Sequence, residues 1–299
     1  MKIEEVWKNG KVSMDGSIVE PADATISIFD RGFLFGDSVF ETMRVHLGYP
    51  FALHEHIRRF YASGRRIGFD LPWKEKLIAT RSLETLLASG LSEAYMRIIG
   101  TRGEGELGLA PSLASNPRLL VIVLPLPEFP DDLYTKGRTA ALVSVRRNLK
   151  LAVDPQAKTG NYINSVLAVR DAQSRGADEA IMLNVGGNIA EGSSANVFAR
   201  IGGIWCTPSL DEGILSGITR RTILDLSAKN HIPVEVRCIS PAEFKSASEI
   251  LLCSSVRELV PLVELDGKPV GDGKVGENFK LLQALYRAEV EQRCRDRQG

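Results

Sequence analysis

The chain has 299 residues, room for one large domain or two medium ones, and with 44% hydrophobic and 25% charged residues it has the composition of a globular protein with a sizeable core. Its 37 Lys and Arg balance 37 Asp and Glu, which removes any general electrostatic case for nucleic acid or an anionic membrane as partner. The N-terminal MKIEEVWKNGKVSMDG lacks the apolar core of a signal peptide, and no apolar run approaches the roughly 20 residues of a membrane helix. In chain order, short strands are expected at Glu4–Trp7, Lys11–Ser13 and Thr25–Ser27, with turns at Asn9-Gly10 and Asp15-Gly16. Residues 38–45 alternate apolar and polar as a half-buried strand does. Helical spacing of Ile57, Phe60, Tyr61 and Ile67 predicts a helix over His54–Ile67, and a second spans Trp73–Ser89. Ala94–Thr101 and Leu119–Leu124 read as strands. Pro125–Asp132 holds three prolines and is taken as an interdomain linker. Beyond it come strands at Arg138–Ser144, Glu179–Asn184, Asn196–Ile201, Val234–Ile239 and Glu249–Cys253, and helices at Ile163–Arg175, Ile218–Lys229 and Asn278–Arg293. The expectation is an α+β protein of two mixed domains: a small one over 1–125, a linker over 126–135 and a large one over 136–299.

Cys206, Cys238, Cys253 and Cys294 form no CxxC pair and suggest neither a zinc site nor a disulfide scaffold, so a reducing, cytoplasmic setting is expected. His54 and His56 stand two apart and on a helix do not face each other, which argues against a metal site. Gly103-Glu104-Gly105-Glu106-Leu107-Gly108 matches GxGxxG after a strand. Pro111 breaks the helix a dinucleotide site requires, and two glutamates would repel a pyrophosphate. A Gly-rich loop over a site is the better reading.

Four further stretches carry possible chemistry. Lys158 lies in Ala157-Lys158-Thr159-Gly160-Asn161-Tyr162, before a helix. A partly desolvated lysine there has the nucleophilic amine a Schiff base needs, and the alternative is a solvated loop lysine. Glu191 opens Glu191-Gly192-Ser193-Ser194-Ala195-Asn196, an acid followed by small residues that leave room for a flat ring. A carboxylate beside a pyridine nitrogen keeps that nitrogen protonated; the alternative is a turn acid. Leu215-Ser216-Gly217-Ile218-Thr219-Arg220 brings a glycine to a helix start, where free N–H groups bind anions, unless Ser216 simply caps the helix. Cys253-Ser254-Ser255-Val256 sets hydroxyls at a strand end, a second oxyanion contact or a polar turn. Arg59, in a helix that also holds Arg58, Arg65 and Arg66, is suited to clamp a phosphate.

FGDSVFETMRV, HEHIRRF, YMRI, KTGNY, EGSSANVF, LSGITR and SSVREL occur in one order, and through them the chain resembles the class IV, D-amino-acid-aminotransferase-like enzymes that use pyridoxal 5'-phosphate. The resemblance runs from Asp30-Arg31-Gly32-Phe33 to about Pro261. It implies fold type IV, with the cofactor at the interface of the two domains, and a homodimer. It implies Lys158 as the Schiff-base lysine and proton shuttle, and Glu191 as partner of the pyridinium nitrogen. Arg59, Gly217, Ile218 and Thr219 would hold the phosphate with Ser255 nearby, and Tyr162 would touch the cofactor. The shorter lysine-to-tyrosine spacing resembles the D-amino acid enzymes and the lyase. For substrate, the resemblance implies Phe35, Phe40, Thr42, Tyr95, Arg97, Leu107, Ser255 and Val256.

The activity implied first is transamination between a branched-chain L-amino acid and 2-oxoglutarate. Tyr95-Met96-Arg97 resembles the Tyr-x-Arg of branched-chain enzymes, and TRGEGELGLAP resembles a loop of some prokaryotic ones. The alternative is a D-amino acid or R-amine transaminase, supported by EGSSANVF. The further alternative is aminodeoxychorismate lyase, supported by Thr42 but opposed by Leu107, where the lyase usually has arginine. Small amino donors and keto acids are the expected partners, by a ping-pong mechanism, with no metal.

Overall fold

The computed structural model describes residues 7–130 and 132–296. The strand read at Glu4–Trp7 lies outside them except for Trp7, which is in a turn. By backbone contacts the chain divides into two compact units. One comprises the chain up to Glu128, the short segment Ala157–Asn161 and the end from Val290; the other comprises Phe129–Gln156 and Tyr162–Glu289.

The first unit contains β1 (Lys11–Met14), β2 (Ser17–Val19), β3 (Ser38–His46), β4 (Tyr49–Pro50), β5 (Ala94–Gly105) and β6 (Ala114–Pro125). Among the described residues these form one antiparallel sheet in the order β2-β1-β6-β5-β3-β4. Asp15 and Gly16 both take positive φ in the two-residue turn joining β1 to β2, the geometry the Asp-Gly pair favours. Among the described residues, the α-helices wholly within this unit are α1 (Arg31–Phe35), α2 (Leu53–Arg66) and α3 (Glu75–Ser89). Alternation in β3 turns Val39, Met43 and Val45 to one face, where Ala94, Met96, Ile98, Val121 and Val123 join them. Leu53, Ile57 and Phe60 of α2 and Ile78 and Leu86 of α3 cover that face, and all are buried. Each such side chain contributes about 1.5–3 kcal/mol by leaving water.

Thr25–Ser27, read as a strand, is irregular and joins no ladder among the described residues. β-favouring residues alone do not make a strand without a neighbour to pair with.

The second unit contains β7 (Arg138–Leu142), β8 (Glu179–Leu183), β9 (Ile189–Gly192), β10 (Asn196–Ile201), β11 (Ile204–Thr207), β12 (Val234–Val236), β13 (Glu249–Ser254), β14 (Glu258–Leu265) and β15 (Lys268–Pro269). Among the described residues they form a mixed sheet in the order β12-β11-β10-β13-β14-β7-β8-β9, with β15 on β14. Its helices are α4 (Ile163–Ser174), α5 (Ile218–Lys229), α6 (Pro241–Lys245) and the start of α7 (Glu277–Arg295). Ala168 and Ala172 of α4 lie on Ala141, Ala180 and Met182, small residues that let the helix approach β7 and β8 closely. Ser240 and Glu243 form a capping box at α6. The strand expected at Val234–Ile239 stops at Val236. No helix among the described residues is long and apolar enough to cross a membrane.

Candidate active site

Lys158 is placed by a fragment of sheet. β3 pairs β5 on one side, but among the described residues no named strand neighbours its first residues on the other. Residues 158–160 fill that gap: Phe40 N donates to Lys158 O at 3.0 Å, Gly160 N donates to Ser38 O at 3.0 Å, and Val39 bridges Thr159. A Cβ on Gly160 would collide with Ser38 Oγ, so the close approach requires glycine. Lys158 N also donates to Ser63 Oγ of α2 at 3.0 Å. Residues directly opposite in an antiparallel pair share a face, so the lysine side chain projects on the Phe40 side of the sheet. Its Nζ lies 4.4 Å from the centre of the Phe40 ring.

β5 brings three more residues to that face. Phe40 pairs with Ile99, Thr42 with Arg97 and Arg44 with Tyr95. The Arg97 guanidinium carbon sits 3.8 Å from the Phe40 ring centre, and Arg97 Nε is buried with no hydrogen-bond partner among the described residues. A buried, unpaired guanidinium donor against the same ring as a lysine amine is an arrangement suited to a carboxylate-bearing amine or keto acid.

The opposite face of β3 holds a polar cluster that no motif announced. Glu41 is fully buried and accepts from Arg59 Nε at 2.7 Å, from Arg59 Nη2 at 2.6 Å, and shares a 2.7 Å hydrogen bond with His56 Nδ1. Burial alone would raise the Glu41 carboxyl; the charge and hydrogen bonds of Arg59, helped by those of His56, overcome it and bring it from 4.5 down to about 2. Burial lowers the His56 pKa against the pull of Glu41, with repulsion from Arg59 and Lys158 adding to it. The signal was available in SVFETMRV: an acid at an inward position between Val39 and Met43 needs a cation. His54, two residues earlier in α2, is half-buried and meets Glu75 at 3.1 Å.

In the second unit, Glu191 lies near the end of β9 in a wholly buried stretch. Its Oε1 accepts from Arg147 Nε at 2.8 Å, and its Oε2 from Asn196 Nδ2 and Leu215 N, both at 3.0 Å. A carboxylate offers about four acceptor positions, so one stays open for a further donor. Asn196 Nδ2 also donates to Leu215 O at 3.0 Å, tying β10 to the loop before α5. Gly217 follows in that loop, and a Cβ there would overlap Asn196 Oδ1. α5 then starts at Gly217, an N-cap residue with no side chain of its own to cap the helix. Ile218 and Thr219 open its first turn, both buried. Arg220 anchors this start, donating from Nε to Thr207 Oγ1 at 3.0 Å and from Nη2 to Pro208 O at 2.8 Å.

The other residues singled out from sequence are more scattered. Tyr162 is half-buried at the start of α4. Ser255 and Val256 are half-buried in the turn from β13 to β14. Arg257 fixes that turn through Glu179, as does Glu258, which holds φ +58° and accepts from Arg287 Nε at 3.0 Å. Phe35 ends α1 with its ring 5.0 Å from the Arg31 guanidinium carbon. Leu107 is 75% exposed on a loop whose Gly108 and Leu109 carbonyls accept from Arg31 at 2.7 and 3.0 Å. After that loop comes a single 3-10 turn at Pro111–Leu113, and no dinucleotide-type helix begins there. Among the described residues no group of His, Cys, Asp or Glu is arranged to hold a metal ion.

Each unit by itself offers part of what a phosphorylated pyridine aldehyde needs. In the second, α5 starts at Gly217, which has no side chain of its own to cap the helix, and Glu191 has an open acceptor position; in the first, Lys158 carries an amine held against an aromatic ring.

Known proteins resemble the chain over nearly its whole length. The amino-transferase class IV family matches residues 38–265. A Methanocaldococcus jannaschii protein with the provisional name branched-chain-amino-acid aminotransferase is 36% identical over 277 residues, 93% of this chain and 95% of its own length. The D-alanine aminotransferase of Listeria monocytogenes is 32% identical over 307 residues, 95% of this chain and 97% of its own. The solved branched-chain amino acid aminotransferase of Thermobaculum terrenum, in its PLP form, superposes with a TM-score of 0.85 at 26% identity, covering 95% of this chain and 94% of its own.

Proposed function

Because the chain belongs to the class IV aminotransferases, a pyridoxal-phosphate-dependent family with the fold type IV architecture seen here, we propose that it moves amino groups between branched-chain L-amino acids and 2-oxoglutarate in a ping-pong cycle. The observation that carries this reading is the shared face of Lys158 and Arg97. One residue presents an amine and the other an unsatisfied buried guanidinium donor, both against the Phe40 ring.

When bound, pyridoxal 5'-phosphate supplies an aldehyde that condenses with amines and a protonated ring that takes up the electrons of the broken Cα–H bond. Lys158 would hold the cofactor through its Nζ, and as a free amine the same Nζ would take the proton from the substrate's Cα. Glu191 would accept the ring N–H. The first-turn N–H groups of Ile218 and Thr219 would receive the phosphate. Arg59 would add positive charge; with Nε and Nη2 committed to Glu41, its two-point fork is already engaged. Arg97 would bind the side-chain carboxylate of 2-oxoglutarate, and Phe40, Thr42, Tyr95 and Val256 would shape the space for an apolar side chain.

Arg97→Ala is expected to lower kcat/KM for 2-oxoglutarate at least about tenfold more than for an apolar keto acid, since only the former brings a second carboxylate needing a charged partner. Equal losses in steady-state assays with both acceptors would remove Arg97 from that role.

The match to D-alanine aminotransferases favours a second reading, in which D-amino acids are the donors. The deciding experiment mixes holoprotein with one amino donor at a time, without keto acid, and follows the cofactor absorbance. Rapid bleaching by L-leucine, L-isoleucine or L-valine and none by D-alanine supports the first reading; the reverse pattern replaces it with the second. No bleaching by any amine would sink both.

A homodimer in the cytoplasm belongs to the same proposal. Ile26, Ile28, Phe29 and Phe33 expose 41%, 66%, 53% and 65% of their surface within eight residues of sequence, apolar side chains that a partner copy would cover. A single-chain mass by light scattering would remove that part.

A further inference from the structure

Arg147 lies outside every motif by which the site is read, yet its guanidinium holds Glu191. We propose that Arg147 is a positioning residue for the cofactor ring: it supplies the counter-charge bonded to the buried Glu191 and fixes the oxygen that still has an open acceptor position. The inference rests on the reading of Glu191 as the acid that meets the ring nitrogen.

The hydrogen bonds around Glu191 divide unevenly. Oε2 takes two donors, Asn196 Nδ2 and Leu215 N, and Oε1 takes one, Arg147 Nε at 2.8 Å. With about two lone pairs per oxygen, the open position is therefore on Oε1, the oxygen that Arg147 holds. The Glu191 side chain is only 6% exposed, and removing a buried carboxylate's ion-pair partner is costly. Arg147 is the cation bonded to it. Arg220 also acts on Glu191 through its charge, but its bonds go to Thr207 and Pro208.

Arg147 is itself held in place. Its backbone N donates to Leu183 O at 2.9 Å, at the end of β8. Its Nη1 reaches Asn164 Oδ1 at 3.5 Å, and Asn164 Nδ2 returns a 2.8 Å bond to Arg146 O. The first turn of α4 and the end of β8 thus fix the guanidinium, and the guanidinium fixes the carboxylate. The side chain, 15% exposed, has little freedom to drift.

The test titrates apoprotein with pyridoxamine 5'-phosphate, whose absorbance reports the protonation of its ring nitrogen. It uses wild type, Arg147→Met, Arg147→Lys, Glu191→Gln and the double variant that combines Arg147→Met with Glu191→Gln. Arg147→Met is expected to weaken binding roughly tenfold and to shift the bound spectrum toward the unprotonated ring. Arg147→Lys keeps the charge but not the planar fork, so it should keep the protonated spectrum while still binding more weakly. The double variant should bind no worse than Glu191→Gln alone, because Arg147 acts through the acid. Wild-type affinity and spectrum in Arg147→Met, or additive losses in the double variant, would overturn the inference. Should Arg147→Met fail to fold, Arg147→Lys decides: unchanged affinity there also overturns it. A Glu191→Gln protein indistinguishable from wild type removes the acid from the ring and the inference with it, leaving Lys158 in place. A wild-type protein that takes up no cofactor sinks the proposed function itself.

Discussion

Lys158→Ala protein is expected to lose amino-group transfer by several orders of magnitude while staying folded. The functional side of this expectation is a matter of reach. The histidine that shares this face of β3, His46, stands at the far end of the strand and meets Glu93 at 3.4 Å. Six residues of strand separate it from Phe40, about 20 Å, too far for it to replace the amine as proton carrier. The structural side follows from how the residue is held. Its segment is anchored by backbone bonds from Phe40 to Lys158 O, from Gly160 to Ser38 O and from Lys158 N to Ser63 Oγ, none of which involves the lysine side chain. Alanine keeps all three. Steady-state kinetics and a melting curve on one preparation check both halves. Turnover near that of wild type would remove Lys158 from the chemistry, whereas loss of activity with a collapsed melting temperature would point to a structural role.

The second large effect is on stability. Glu41→Gln is expected to destabilise the protein by about 3–5 kcal/mol, because it leaves the guanidinium of Arg59, 11% exposed, without its counter-charge. That corresponds to a fall of roughly 10 °C in Tm. The pH dependence has a definite sign. A carboxyl held at about 2 when folded and 4.5 when unfolded contributes stability that is complete above 4.5 and disappears as pH falls toward 2. His56, whose pKa is lowered by burial, acts in the same sense at higher pH: the unfolded chain takes up its proton first, near 6.5, and draws the equilibrium toward unfolding. Wild-type melting temperature should therefore decline through both ranges on acidification, and Glu41→Gln should show a smaller decline in the lower one. Equal melting temperatures for the two proteins across that range would show that the cluster does not bear on stability.

Parts of this arrangement were legible in sequence and parts were not, for identifiable reasons. Ile218–Lys229 appears as a helix with the expected bounds because its apolar positions recur at helical spacing after a glycine. β3 appears because its two faces differ. β14 was not read, because Pro261 interrupts it and buried strands lack alternation. α1 is too short for any period to register. The motifs supplied Lys158, Glu191 and Arg97, whereas Arg147 and His56 enter through contacts across 44 and 15 positions of sequence. No local spacing encodes such pairs. Arg59 shows the limit most clearly: its basic character is visible in HEHIRRF, but its commitment to Glu41 exists only once α2 lies on β3.

During synthesis, the outer edge of Ser38–Phe40 emerges long before the residues that cover it. A nascent chain that has completed β1 to β6 still displays free N–H and C=O groups along the start of β3, a surface that invites strands from other chains. The arrival of Lys158–Gly160 closes it. Shielding the newborn protein from misassociation and delivering its amine to the site are thus one event, and a fragment ending at Glu128 would lack both the chemistry and the protection.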